Sequence, residues 1–217
     1  VFLMLRGGLV AVDHVTWANF IPAVGLVVMP LAGGPLLQHR DGAVREWALT
    51  LNAIGLGAGS MMYLGLLGLT LHRKFLHKPA QGILTPTVWI HLAPIGVIPL
   101  SLMNLLDPLP FPAAREVATV LMLLLWGFGV WWVVMASLLT LAARTAGQLP
   151  FALSWWGFTF PLGAFVAESL RLSQLLGWSS TFAIGVGAWI LLCGLWLITA
   201  AKTARRVASG AIFQPHP

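Results

Sequence analysis

Phe160-Pro161-Leu162-Gly163 interrupts an apolar stretch, and the interruption is one of three. The others are Phe20-Ile21-Pro22-Ala23-Val24-Gly25 with Pro30, and Pro94-Ile95-Gly96 with Pro99. Each interrupted stretch is followed by a smooth one, so broken and unbroken segments alternate along the chain. Proline inside a helix removes a backbone donor and clashes with the carbonyl four residues back, at a cost of about 3 kcal/mol in water. In hydrocarbon the freed backbone groups must be covered by protein or face a water-filled cavity. A break repeated at one position of successive helices therefore predicts a common axis.

The composition identifies the solvent. Hydrophobic residues make up 59% and charged residues 8%, and the mean hydropathy is +0.89. These values predict an all-α polytopic membrane protein. Spans are expected at 16–37, 46–71, 86–106, 117–142, 153–174 and 181–201, each near the roughly 20 residues needed to cross the hydrocarbon core. No stretch resembles a soluble domain, a linker or a cleavable leader. Cys193, the single cysteine, falls in the last span and cannot form an internal disulfide. Among the eleven Trp, Trp17, Trp47, Trp89, Trp155, Trp156 and Trp178 fall near span ends, where indole favours the headgroup boundary. Trp126, Trp131, Trp132, Trp189 and Trp196 lie deeper and read as packing or lipid-facing residues.

The formal charge of +6 does not point to nucleic acid, because the basic residues lie between spans. Arg6, Arg73, Lys74, Lys78, Arg144, Lys202, Arg205 and Arg206 fall on one side, and Arg40, Arg45, Arg115 and Arg171 on the other. Eight against four places the first group in the cytoplasm, together with the carboxyl terminus. A multi-pass protein of a bacterial inner membrane is expected, with the lipid bilayer as its surroundings.

Pro22 and Pro94 are separated by 72 residues, and Pro94 and Pro161 by 67. That period equals two spans, so the unit is a helical hairpin with one broken and one smooth helix. A two-span period keeps the broken helices parallel, unlike inverted-topology repeats. The expected architecture is an inner ring of kinked helices (16–37, 86–106, 153–174) within an outer ring (46–71, 117–142, 181–201). Residues 1–12 resemble the tail of a preceding helix, and the chain reads as the carboxyl-terminal part of a longer protein, the alternative being a GTG start codon at Val1.

Trp155-Trp156-Gly157-Phe158-Thr159-Phe160-Pro161-Leu162-Gly163 resembles the penultimate-helix signature of the tellurite-resistance/dicarboxylate transporter family. That family includes tellurite-resistance protein A, malate permeases and plant slow anion channels. Trp17-Ala18-Asn19-Phe20-Ile21-Pro22-Ala23-Val24-Gly25 with Pro30-Leu31-Ala32-Gly33 is similar to its fifth helix. Leu84-Thr85-Pro86-Thr87-Val88-Trp89-Ile90 with Pro94-Ile95-Gly96 is similar to its seventh. The tail Ala201 to Arg206 and Gly210 to Phe213 is similar as well. The resemblance implies ten helices in five hairpins around a central pore, of which six spans are visible here, with both termini cytoplasmic. It also implies a homotrimer and transport of small anions of the chloride, nitrate, dicarboxylate, sulfite or tellurite class. An aromatic residue of the ninth helix occludes the pore in the family, and Phe160 is the match here, with Phe158 its competitor.

Phe20, Pro22, Gly25, Leu92, Pro94, Gly96, Pro161 and Gly163 are the expected pore-lining or kink residues. Broken helices expose half-helix ends whose N–H groups and positive dipole ends attract anions. Such weak attraction, without a fixed cation, suits permeation. Glu168 departs from the pattern, because an acid inside a span is a functional candidate by default. It reads either as an ion pair with Arg171 at i+3 or as a proton-coupling carboxylate. The latter would favour a proton-coupled C4-dicarboxylate, sulfite or tellurite exporter over a channel. His91, one turn inside its span, reads as interfacial or hydrogen-bonded. The glycines Gly55, Gly57, Gly59, Gly65 and Gly68 let helices approach closely, so this stretch should pack the outer ring on the inner. Asn52 and Asn104 should be satisfied locally. An intramembrane redox or enzyme subunit would need paired His, a metal triad or a nucleophile–base pair within the spans. No such set, no cofactor motif and no catalytic group is read from the sequence.

Overall fold

The computed structural model describes residues 15–37, 41–76, 82–107, 109–110 and 113–211. Arg6, Arg40, Lys78, residues 1–12, and Ile212 and Phe213 of the tail lie outside the described residues. The first span opens with a 3-10 segment, Trp17–Phe20, and continues as α1 (Ile21–Val27) and α2 (Met29–Leu37). It is followed by α3 (Gly42–Leu76). A second 3-10 segment, Gly82–His91, leads into α4 (Leu92–Leu106), and α5 (Ala114–Thr145) follows. A third, Leu153–Phe158, leads into α6 (Thr159–Leu176), and α7 (Ser179–Ala208) completes the order. No strand occurs among the described residues.

Each broken span is thus a 3-10 segment continued by an α-helix, and the prolines sit at the joins. Pro22 is the second residue of α1, and Pro94 and Pro161 are the third residues of α4 and α6. In the first turn of an α-helix the N–H has no intrahelical partner, so proline costs little there. Pro99 lies well inside its α-helix, and Pro86 lies inside the second 3-10 segment. The expectation of kinks in mid-helix is corrected accordingly: the breaks are changes of helix type. The expectation of free half-helix N–H groups changes too, because Ile21 and Thr159 donate to the carbonyls of Ala18 and Trp156.

A 3-10 helix has three residues per turn, so side chains at i and i+3 eclipse. This brings Trp17 over Phe20, with centroids 5.8 Å apart, and Trp155 against Phe158 at 5.6 Å. The three 3-10 segments pack in series, the second lying between the other two. The α-helices repeat that order, with α4 between the first span and α6. Helix α3 packs on α1, α2 and α4, α5 on α4 and α6, and α7 on α6. Burial separates the two layers: 72% of the most apolar window of 82–106 is buried, against 28%, 22% and 17% for α3, α5 and α7.

Five helices among the described residues are long and apolar enough to cross a membrane: 17–34, 42–76, 82–106, 114–145 and 179–208. Helix α6 is shorter, with 18 residues, and it carries Glu168, Arg171 and Gln174. With its 3-10 opening it covers 153–176.

Close approach between layers falls on glycines. A Cβ at Gly55 would stand 2.6 Å from the Met29 sulfur, and one at Gly59 would stand 2.8 Å from the Ala23 carbonyl oxygen. Gly57, Gly65 and Gly68 meet nothing within 4 Å, so only part of the expected glycine face does this work. Within the inner layer, Gly96 lies directly on the backbone of Ala164 and Phe165. Ser101 ties α4 to the first span by donating to the Val27 carbonyl at 2.5 Å. Asn52 donates to the Ala48 carbonyl at 2.8 Å, the local partner expected for it.

Candidate functional site

Helix α6 has four sides with different neighbours. Pro161, Phe165, Glu168 and Leu172 form a buried stripe at helical spacing, and Gly96 of α4 packs on the backbone beside it. Phe165 and Ser169 face α5, through Gly129 and the Trp126 indole. Gly163, Ser169 and Leu170 meet α7 at Leu192 and Gly185. Phe160, Ala167 and Arg171, at spacings of seven and four, lie on the remaining stripe and are exposed. Phe160 is 52% exposed, while Phe158, two residues earlier and so on the far side of the helix, is 1% exposed.

The first span repeats this layout. Ile21, Pro22, Gly25 and Ala32 are exposed, whereas Ala23, Val24 and Val27 are buried against the neighbouring helices, and Met29 is partly exposed with its sulfur against Gly55 of α3. Counting from the proline, Ile21 holds the position of Phe160, and it is 57% exposed. Phe160 and Ile21 thus lie where no described helix covers them fully. Of the expected pore residues, Phe160, Pro22 and Gly25 are exposed, and Gly163 is half-buried against α7. Phe20, Leu92, Pro94, Gly96 and Pro161 lie in the packed interior.

Phe20 is instead one wall of a cage around His91. The imidazole is fully buried, with ring centroids of Trp17 and Phe20 at 5.3 Å, Trp132 at 4.4 Å, Phe128 at 5.4 Å and Tyr63 at 5.6 Å. Neither ring nitrogen has a hydrogen-bond partner among the described residues. The interfacial or hydrogen-bonded reading of His91 is therefore corrected. A 3-10 segment of ten residues carries it well below the basic end.

Glu168 is also fully buried, and neither carboxyl oxygen has a partner among the described residues. The expected ion pair with Arg171 is absent there. Arg171 lies on the uncovered face and donates to Gln174 at 3.4 Å, while Glu168 belongs to the stripe packed toward α4. The hydroxyl of Tyr63 is also buried and has no partner among the described residues. His91 and Tyr63 are neighbours, with ring centroids 5.6 Å apart, and Glu168 is a third buried polar side chain, on α6. Among the described residues, no group of His, Cys, Asp and Glu could hold a metal ion.

Three tryptophans expected at the headgroup boundary are interior ties. Trp17, Trp89 and Trp155 are buried, and Trp89 donates to the Thr140 hydroxyl at 2.9 Å. Trp132 of α5 donates to the Val88 carbonyl at 3.0 Å. Trp47 and Trp178 are exposed, as a boundary position requires.

The two ends of the bundle differ in charge. Arg73 and Lys74 line one cavity with Val15 and Gln148, and at the foot of α7 Lys202 lies 4.2 Å over the Trp155 ring. Arg115 and Arg171 line another cavity, of about 740 Å³, with Asp107 and Glu116.

Layered parallel hairpins with apolar outer helices and a few buried polar side chains define an all-α polytopic membrane protein. The family follows from the sequence comparison. The chain belongs to the SLAC1 family, voltage-dependent anion channels, whose model matches residues 1–204. This is the tellurite-resistance/dicarboxylate transporter grouping indicated by the motifs at 17–33 and 155–163. An uncharacterized transporter of Methanocaldococcus jannaschii is 39% identical over 99% of this chain and 62% of its own length. A second from that organism is 38% identical over 98% of the chain and 62% of its own length. A sulfite efflux pump of Arthroderma otae is 24% identical over 98% of the chain and 60% of its own length. The chain therefore spans about three fifths of these relatives. No solved structure matches it.

Proposed function

We propose that the intact protein moves small anions across a membrane along the uncovered faces of the first span and α6, with Phe160 as the obstruction. The observation that carries this reading is the exposure of Phe160 on the one side of α6 that no helix covers. Ile21 repeats it in the first span. Backbone joins, small residues and a few apolar side chains line these faces, and Arg171 stands toward one end. Such a lining holds an anion weakly, and weak holding lets it leave. The family and the sulfite efflux relatives support an anionic substrate of the chloride, nitrate, sulfite, tellurite or dicarboxylate class. By family resemblance, the working unit has ten helices in five hairpins and assembles as a trimer. The basic end of the bundle faces the cytoplasm of a bacterial cell, in keeping with the charge count. Anion-substitution currents from the reconstituted full-length protein test the proposal. Currents indifferent to the anion supplied would overturn it.

A second reading has its own observation, the buried and unpartnered carboxyl of Glu168. Removing an ionised carboxylate from water costs several kcal/mol even after the protein relaxes, so the group is suited to taking and releasing a proton. In this reading the protein is a proton-coupled carrier. Glu168→Gln then abolishes the pH dependence of uptake while leaving the folded yield unchanged. Uptake by the variant that still follows an imposed pH gradient removes Glu168 from the coupling.

A further inference from the structure

A cavity of about 210 Å³ opens where α3 ends, between the start of the first span, the 3-10 segment Gly82–His91 and the end of α5. Its polar lining is Thr16, Thr70, Arg73, Lys74, Thr85 and Gln148, and the rest is largely aliphatic. Two cations line it and no carboxylate does among the described residues. Arg73 donates to the Val15 carbonyl, which holds the guanidinium against the cavity wall. Its Nε is buried and has no partner among the described residues. A guanidinium stays protonated at any physiological pH, so an incompletely paired charge is fixed here beside a second one. The Thr70 hydroxyl already donates to the Leu66 and Leu67 carbonyls. Thr16 donates to the Asn19 side-chain oxygen at 3.4 Å, which leaves Arg73, Lys74, Thr85 and Gln148 as the other polar side chains of the lining. Helix α6 contributes nothing to the lining, so this site is separate from the face that carries Phe160.

We propose that this cavity binds a phosphate-type oxyanion, the group shared by an anionic phospholipid headgroup and inorganic phosphate. The planar fork of arginine matches two oxygens of such a group, and the lysine adds a point charge. Basic cavities between membrane helices take anionic headgroups for the same reason.

The test uses the intact protein in phosphatidylcholine nanodiscs with and without phosphatidylglycerol, and native mass spectrometry reads the retained anionic lipid. In parallel, inorganic phosphate is titrated against chloride at constant ionic strength, and the rise in Tm is read. Lys74→Gln, which removes no hydrogen bond to the described residues, weakens binding on the order of fivefold, and Arg73→Gln with Lys74→Gln on the order of thirtyfold. Arg205→Gln, an exposed charge on α7, leaves binding unchanged. Retention of phosphatidylglycerol without a phosphate effect assigns the headgroup, and a phosphate effect alone assigns the free ion. The proposal fails if neither probe binds the wild type. It fails equally if Arg205→Gln weakens binding as much as Lys74→Gln, because diffuse surface charge would then account for it.

Discussion

Phe160→Ala in the intact protein should raise anion current severalfold, while Phe158→Ala should give no such rise and should lower the yield of folded protein. The two rings are two residues apart, about 200° around the helix, and they do opposite jobs. Phe160 projects from the uncovered stripe of α6, so truncating it removes bulk from the proposed path and takes no packing from the core. Phe158 is enclosed, edge-on to Trp89 at 5.8 Å and to Trp155 at 5.6 Å. Deleting an enclosed aromatic ring costs about 3–5 kcal/mol. Single-channel or whole-patch recording measures the first effect, and thermal melting in detergent measures the second. A Phe160→Ala protein with wild-type current would remove the residue from the path, and a current gain confined to Phe158→Ala would reverse the assignment.

Gly96→Val should largely abolish folding. A Cβ at Gly96 would stand 2.5 Å from the carbonyl carbon of Ala164, 2.6 Å from its oxygen and 2.8 Å from the amide nitrogen of Phe165. These are backbone atoms of α6, so no side-chain rotation relieves the clash. Restoring ordinary contact requires α4 and α6 to part by about 1 Å. Overpacking of a core costs about 1–3 kcal/mol where side chains can yield, and the penalty here is larger because a helix must move. The displacement also reaches Ser101, which ties α4 to the first span. Gly33→Ala is the contrast: its added methyl meets the Asn52 amide at 2.5 Å, a side chain that can shift at the cost of its bond to the Ala48 carbonyl. Melting temperature and the fraction of monodisperse protein should fall steeply for Gly96→Val and mildly for Gly33→Ala. Equal melting of Gly96→Val and wild type would show that α4 and α6 do not meet at this glycine.

The layered arrangement could be read from the chain because proline and glycine recur with the period of a hairpin and the charges sort by end. How the chain passes each proline could not. Pro22, Pro94 and Pro161 look like kinks when only the α-helix is considered, but a preceding 3-10 segment turns the same residues into helix starts. The role of Trp89 was also hidden. An indole suits a headgroup boundary as well as an interior, and its partner Thr140 lies 51 residues away. For Glu168 the i+3 spacing favours Arg171, yet the stripe containing Pro161, Phe165 and Leu172 carries the carboxyl inward. Phe158 ends a 3-10 segment and Phe160 begins α6, and which neighbours cover each ring is not contained in the sequence of one span.

The three 3-10 openings have a mechanical consequence. Hydrogen bonds in a 3-10 turn are poorer in geometry than those of an α-helix, and segments held by weaker bonds open at lower free energy. The bundle is therefore compliant over one part of its length and stiff over the rest, with the boundary running through Pro22, Pro94 and Pro161. Bending that would change the width of the proposed path is least costly along this boundary, and Phe160 is attached one residue before its last proline.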